Sequence, residues 1–153
     1  MAQTTNTNRV IKATAEKIYE ALTDPRAIEV WRVPGNMTGK VHRFHLAQGG
    51  GYEMSLFYPA TGEDVKGKTA DKEDRFTSTF VELIPFKKIT ESIRFYTTDP
   101  YLAGEMTMET ILEPMGNNTK VTFVFKNIPP GIKASDNEAG TIAALEKLAV
   151  YIE

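Results

Sequence analysis

The sequence predicts one α+β domain, in which an antiparallel sheet packs against a long C-terminal helix. Apolar residues recur at every second position between Val41 and Asn127, a pattern typical of strands with one buried face. A Pro-Pro-Gly segment then interrupts this pattern, and the end of the chain repeats its apolar residues at helical spacing. The length of 153 residues suits a single domain over 1–153, with 1–7 expected to be a loose lead-in.

A short strand and two short helices are expected at the start of the chain. The segment Asn8–Ala13 has the character of a strand, and Thr14 is suited to cap the helix that follows it. Asp24 and Pro25 suit the cap and first position of a second helix. This second helix carries the only tryptophan, Trp31.

The middle of the chain predicts a sheet of six to seven antiparallel strands. Short turns rich in glycine, proline and asparagine separate the apolar runs, which favours consecutive hairpins. The strands after the first are expected at 41–46, 52–58, 65–69, 76–84, 89–97, 106–112 and 120–126.

The last segment predicts a long amphipathic helix. Ser135 and Glu138 have the spacing of a capping box, so we expect the helix to begin there. Its apolar stripe is too wide to face water and is expected to lie on the inner face of the sheet. The stripe consists of Ala139, Ile142, Leu145, Ala149 and Ile152, flanked by Leu148 and Tyr151.

Composition excludes several classes of protein. The chain has no cysteine, which rules out disulfides, thiol nucleophiles and thiolate metal sites. The net charge is −2 with both signs interspersed, so nucleic-acid binding is not expected. No apolar run approaches the roughly 20 residues that span a bilayer, and the polar N-terminus lacks a signal peptide. We therefore expect a cytoplasmic protein without membrane insertion or cofactor.

Several motifs carry a resemblance to a known superfamily. Thr14–Pro25 with Trp31 resembles the opening of the START-like (SRPBCC) superfamily. The segments 49–52, 80–85, 104–108, 127–131 and 138–148 are similar to its Aha-like branch, which includes the C-terminal domain of the activator of the heat-shock chaperone ATPase. The resemblance covers nearly the whole chain and implies a helix-grip fold, with a curved sheet wrapped around the last helix.

A ligand cavity between the sheet and the last helix is the main functional expectation. The alternative is that the same side chains simply fill a core. Strand residues would form one wall, Leu145 and Leu148 a lid, Ile28 and Trp31 one end, and Thr141 stands where relatives often have tryptophan. The expected wall residues are Tyr52, Met54, Leu56, Ile93, Phe95, Met106, Met108, Phe123 and Phe125.

Glu91 is the most informative polar residue. By alternation it points inward beside Ile93 and Phe95, where an unpaired carboxylate is costly. It is either an acid, base or ligand anchor, or a carboxylate paired with an arginine, or it faces solvent after a one-residue register slip. Glu82 and Thr110 are weaker candidates of the same type.

Other motifs give no clear mark of catalysis or metal binding. His42 and His45 are three residues apart on a strand, which predicts opposite, partly exposed faces and no shared metal. The triplet Gly49–Gly51 precedes a strand and lacks a following Lys-Ser/Thr, unlike a phosphate-binding loop. The run Asp71–Arg75 is expected to be a solvated connection.

Three functions remain open from the sequence. The first is binding of a small hydrophobic or aromatic molecule in the cavity. The second is an enzyme of the cyclase or hydratase type, with Glu91 and a tyrosine such as Tyr52 or Tyr58 handling protons. The third, implied by the resemblance, is an interaction module related to chaperone activation. The ligand and the oligomeric state are not predicted.

Overall fold

The computed structural model describes residues 3–33, 35–59 and 73–153. The predicted strand at 65–69 lies outside the described residues, as does part of the 71–75 connection. The elements are β1 Gln3–Ile11, α1 Ala15–Leu22, α2 Pro25–Trp31, β2 Thr38–His45, β3 Gly51–Phe57, β4 Glu73–Ile84, β5 Lys88–Phe95, β6 Met106–Met115, β7 Asn118–Ile128 and α3 Ala134–Ile152.

The strands form one antiparallel sheet, which confirms the predicted α+β fold. Their order is β1-β7-β6-β5-β4-β3-β2, with every neighbouring pair antiparallel. Strands that are consecutive in sequence are neighbours except β1 and β2, which form the two opposite edges of the sheet. The connection through α1 and α2 therefore joins one edge to the other, and α3 packs against β1 and α2.

The two short helices begin where the sequence predicts. The Thr14 hydroxyl accepts a hydrogen bond from the Lys17 amide at 3.3 Å. The Asp24 carboxylate accepts one from the Arg26 amide at 2.9 Å, and Pro25 occupies the first turn of α2. Both side chains satisfy amides that have no partner within the helix.

The expectation of a loose lead-in is wrong for the described part of the first seven residues. Strand β1 begins at Gln3 and pairs with β7, and both Thr5 and Thr7 are buried. The side chain of Gln3 also reaches α3: its Nε2 donates to the Ile132 carbonyl at 2.9 Å, and its Oε1 accepts from the Ala134 amide at 3.2 Å. A side chain of β1 thus caps the last helix.

The capping box predicted at Ser135 is not formed. Helix α3 begins at Ala134 and Lys133 is its N-cap residue, without a capping side-chain bond of its own. The buried face is also rotated from the prediction, because Ala139, Ile142 and Tyr151 are exposed. The residues of α3 that are buried are Thr141, Ala144, Leu145, Leu148 and Ala149.

One glycine of the predicted turn is needed because two strands approach closely. Gly51 opens β3 with φ 153°, and a Cβ atom there would collide with the Ser78 carbonyl on β4. The Gly49 amide donates to the Phe80 carbonyl, and the Phe80 amide donates to the Gly50 carbonyl, both at 2.8 Å. This segment is therefore used for strand pairing.

Candidate functional site

A cavity of about 370 Å³ lies between one end of the sheet and the first half of α3. Its wall is mostly apolar, and aromatic and methionine side chains form much of it. The lining residues are Trp31, Arg32, Met37, Leu56, Tyr58, Asp74, Phe76, Ile93, Phe95, Met106, Met108, Phe123, Phe125, Ile132, Asp136, Asn137, Gly140, Thr141 and Ala144. Its volume falls within the usual range of small-molecule pockets, about 300–1,000 Å³.

The sheet supplies one side of the cavity through the alternation of its strands. Phe76 on β4 faces Phe95 on β5, with their ring centroids 6.2 Å apart in an edge-to-face arrangement. Met108 on β6 faces Phe125 on β7. Because every second residue of each strand shares one face, these side chains converge on the same space.

Trp31 lines the cavity and is held by contacts on two sides. Its indole Nε1 donates to the Ala21 carbonyl at 2.9 Å, and its ring lies 5.8 Å from that of Phe123. A buried indole needs a partner for its N–H, and the end of α1 provides it. The tryptophan is therefore a fixed part of the wall.

Helix α3 contributes small and polar groups opposite the sheet. The Thr141 hydroxyl donates to the Asn137 carbonyl at 2.7 Å, one helical turn earlier. The Asn137 side chain accepts from the Thr5 hydroxyl at 2.5 Å, which connects the helix to β1. Gly140 and Ala144 carry little or no side chain, so this part of the helix leaves space next to the sheet.

The polar centre beside the cavity is an ion pair between Arg32 and Glu91. Nη1 of Arg32 lies 3.1 Å and 3.4 Å from the two oxygens of Glu91, and only 4% of Glu91 is exposed. The Tyr52 hydroxyl and the Ser78 hydroxyl also donate to Oε1 of Glu91, at 3.0 Å and 2.6 Å. The prediction that Glu91 points inward is confirmed. Of the alternatives that the sequence left open for this carboxylate, the structure shows the pairing with an arginine.

Aromatic rings hold the guanidinium of Arg32 in place. Its Cζ lies 5.6 Å from the centroid of the Tyr52 ring and 5.4 Å from that of Phe76, within the range of cation–π attraction. Burial raises the pKa of Tyr52 well above its ordinary value, although the nearby charge of Arg32 opposes this. Tyr52 is therefore a neutral hydrogen-bond donor at physiological pH.

A second polar group lies on the wall near the ends of β3 and β4. The Tyr58 hydroxyl donates to Asp74 at 2.8 Å, and Asp74 is 1% exposed. Both residues line the cavity, as does Leu56, which is the register partner of Asp74.

The structure places nine of the sixteen predicted ligand-binding residues on the cavity wall. These are Trp31, Leu56, Ile93, Phe95, Met106, Met108, Phe123, Phe125 and Thr141. The other seven do not line the cavity and lie buried next to it or elsewhere in the core. They are Ile28, Tyr52, Met54, Glu91, Thr110, Leu145 and Leu148.

Sequence reasoning missed ten residues of the wall. Phe76 could have been found, since it alternates with Phe80 on a predicted strand. Arg32 and Met37 follow α2, where no periodicity gives their direction. The remainder are Tyr58, Asp74, Ile132, Asp136, Asn137, Gly140 and Ala144, and several of these depend on the rotation of α3.

The two histidines and Glu82 do not line the cavity, whereas Asp74 of the predicted 71–75 connection does. His42 and His45 are exposed, as predicted, and a bulge at His42 interrupts the alternation on which the opposite-face prediction rested. His42 Nε2 is 2.8 Å from the Ser55 hydroxyl. Glu82 is half exposed and lies 3.8 Å from Lys88, so it does not point into the core.

Within the described ranges, no three His, Cys, Asp or Glu side chains come together as a metal site. None of the helices in the part of the chain that the structure describes is long and apolar enough to cross a membrane.

Solved structures similar to this chain share its architecture from end to end. Protein CV1439 from Chromobacterium violaceum is 26% identical with a TM-score of 0.84, over 99% of this chain and 98% of that one. The Mll3558 protein from Rhizobium loti is 24% identical with a TM-score of 0.74, over 98% and 96%. An AHSA1-like protein from Aeromonas hydrophila is 16% identical with a TM-score of 0.71, over 98% and 92%. The last two show the fold alone.

Comparison with protein families agrees with the resemblance seen in the motifs. No curated protein matches the chain at a significant level. The family model described as "Activator of Hsp90 ATPase homolog 1-like protein" matches residues 12–153, from the residue after β1 to the last residue. The chain therefore belongs to the family of activator of Hsp90 ATPase homolog 1-like proteins.

Proposed function

We propose that this protein binds a small hydrophobic or aromatic molecule in the cavity between its sheet and α3. The observation that carries this proposal is the cavity itself, whose 370 Å³ are bounded mainly by aromatic, methionine and aliphatic side chains. A core that only had to be stable would be filled, because empty space forfeits contacts on every side. Methionine side chains are flexible, so Met106 and Met108 suit a wall that adapts to its ligand.

Filling the cavity from the helix side tests the proposal. Ala144 is buried and lines the cavity, so Ala144→Leu places three extra carbons in its space. Ala139 is exposed on the same helix, which makes Ala139→Leu a matched control with the same change in helix propensity. Binding of a fluorescent naphthalene probe is expected to fall at least about tenfold in Ala144→Leu, since a blocked pocket loses ligand contacts, and to stay unchanged in Ala139→Leu.

Native mass spectrometry of freshly purified protein provides the second arm of the test. A stoichiometric small molecule that is carried through purification, and lost in Ala144→Leu, supports the proposal. Absence of any bound molecule, together with equal probe binding by both leucine variants, contradicts it.

Catalysis by Glu91 has less support than binding. Glu91 does not line the cavity, and three side chains donate to its oxygens, so a ligand in the cavity has no direct route to its carboxylate. These contacts favour a role in holding Arg32. If Glu91 were an acid or base, Glu91→Gln would abolish turnover of a bound molecule while leaving its binding intact.

Chaperone activation is a second candidate function, and the family description is the observation that favours it. Its test is the ATPase rate of Hsp90 with and without an excess of this protein. Stimulation that persists in Ala144→Leu would assign the activity to the outer surface. If the protein neither stimulates the ATPase of Hsp90 nor associates with it, this candidate is removed. The proposal of ligand binding is then unaffected.

A further inference from the structure

We infer that the ligand of this cavity is neutral and carries a carbonyl-type oxygen, which Arg32 binds. This inference rests on the proposed binding function and names the chemical class of its ligand. Arg32 is part of an otherwise largely apolar wall, and its side chain is 11% exposed. It is the only cationic side chain among the described residues of that wall.

Arg32 keeps donors for which the described part of the chain provides no hydrogen-bond acceptor. Only Nη1 is used by Glu91, at 3.1 Å and 3.4 Å. Within the described residues Nε and Nη2 have no hydrogen-bond partner. A guanidinium presents five N–H donors in a fixed planar arrangement, so an oxygen at the free edge can accept two of them.

The surroundings of Arg32 fix the direction of these donors before any ligand arrives. Glu91 holds one end of the guanidinium, and the rings of Tyr52 and Phe76 lie within 5.6 Å of its Cζ. Glu91 is itself held by Tyr52 and Ser78. A donor that is already oriented loses little entropy on binding, and its hydrogen bonds are strengthened where water is excluded.

The charge balance decides between a neutral oxygen and an anion. The charge of Arg32 is already matched by Glu91, and the other charged side chains on the described wall are the carboxylates Asp74 and Asp136. Among the described residues, the wall has no uncompensated cation to receive the further negative charge of an anionic ligand. A ketone, ester or amide oxygen accepts the same hydrogen bonds without that cost.

Three naphthalenes of nearly equal size form the test. They are 2-ethylnaphthalene, which has no acceptor, 2-acetylnaphthalene, which has a neutral one, and 2-naphthoate, which is an anion at pH 7.5. We expect 2-acetylnaphthalene to bind about tenfold more tightly than 2-ethylnaphthalene in calorimetric or fluorescence titrations, because it gains hydrogen bonds to a charged donor. It is also expected to bind more tightly than 2-naphthoate.

The three titrations separate this inference from the proposed function. Equal binding of the acetyl and ethyl compounds overturns the inference and leaves hydrophobic ligand binding in place. Tighter binding of 2-naphthoate overturns it in favour of an anion site. No binding of any of the three contradicts the binding function itself.

A conservative variant assigns the effect to Arg32. In Arg32→Lys the charge remains but the planar pair of free donors is lost, so the preference for the acetyl compound should fall below about threefold. Arg26→Lys is the matched control on the exposed side of α2 and should keep the full preference. If Arg32→Lys does not fold, the comparison of the three compounds on the unaltered protein still decides the question.

Discussion

Nη1 of Arg32, the residue that follows α2, lies 3.1 Å from Oε1 of Glu91 on β5, 59 positions later in the chain. The pair joins the helical connection to the middle of the sheet beside the cavity. Removing one member of such a pair leaves a buried charge without compensation, which is more costly than replacing both.

We expect Arg32→Met and Glu91→Gln each to lower the free energy of unfolding by about 3 kcal/mol. The loss of unfolding free energy in the double variant should be smaller than the sum of the two single losses, by on the order of 2 kcal/mol, because no unpaired charge remains. Urea unfolding of the four proteins at pH 7 measures this coupling. Additive losses would show that the ion pair does not contribute as a unit.

The fold could be predicted from the sequence wherever apolar residues alternate. Phe76, Phe80, Ile89 and Ile93 have period-two spacing and all lie on the buried face of the sheet. The segment from Gln3 to Thr7 escaped prediction because its residues are polar throughout. It is ordered by pairing with β7 and by contacts with α3. These contacts join residues that are far apart in the chain, so a local sequence pattern does not predict them.

The site was predicted less completely than the fold, for a physical reason. Strand alternation gives the direction of Ile93 or Met108. For α3 the prediction was right for Leu145 and Ala149 but wrong for the apolar residues Ile142 and Tyr151, which are exposed. The choice of face follows from the shape of the space over the sheet, where Thr141 and Ala144 fit. Likewise, no spacing rule pairs Arg32 with a strand carboxylate.

Gln3 provides the next prediction, because its side chain caps a helix that begins 131 positions later. Gln3→Ala removes the acceptor of the Ala134 amide and the donor to the Ile132 carbonyl, and should lower stability by about 1–2 kcal/mol. Thr4→Ala, at an exposed neighbouring position, is the control and should change little. Hydrogen exchange should also show the first turn of α3 opening more often in Gln3→Ala only. Equal exchange in both variants would contradict the capping role.

Glu109 gives a prediction for pH dependence. Its carboxylate lies 3.1 Å from Lys126 and 3.4 Å from Lys88 on the two neighbouring strands. The hydrogen bond from Lys126 lowers the pKa of Glu109, an effect that burial opposes and that Lys88 reinforces. The pKa of Glu109 is therefore lower in the folded state than in the unfolded state. Its contribution to the free energy of unfolding is complete above the unfolded-state pKa and disappears as the pH falls through the folded-state pKa.

We therefore expect Glu109→Gln to lower stability by about 0.5–1 kcal/mol at pH 7, a modest value because water screens the two partly exposed lysines. The difference from the unaltered protein should shrink as the pH falls below the unfolded-state pKa of about 4.3, and vanish once the folded-state carboxyl is also protonated. Urea unfolding from pH 7 to pH 3 measures it, with Glu113→Gln on the same strand as the control. A difference that stays constant with pH would assign the loss to packing.

Gly140 lies within α3, where its backbone freedom destabilises the helix. A Cβ atom at this position would meet no side chain or other element within 4 Å, so Gly140→Ala adds helix propensity without a clash. The expected gain is about 1 kcal/mol, which corresponds to a rise in Tm of roughly 2–4 °C for a chain of this size. Ala139→Gly, one position earlier on the exposed face, should lower Tm by a similar amount.

The same variant bears on the cavity, because Gly140 is part of its wall. One methyl group occupies only a small part of 370 Å³, so Gly140→Ala should keep naphthalene binding while raising Tm. Ala144→Leu should instead lose binding. If Gly140→Ala raised Tm and also abolished binding, the ligand would have to lie directly against α3 at this turn, and the glycine would be required for ligand contact at a cost in helix stability.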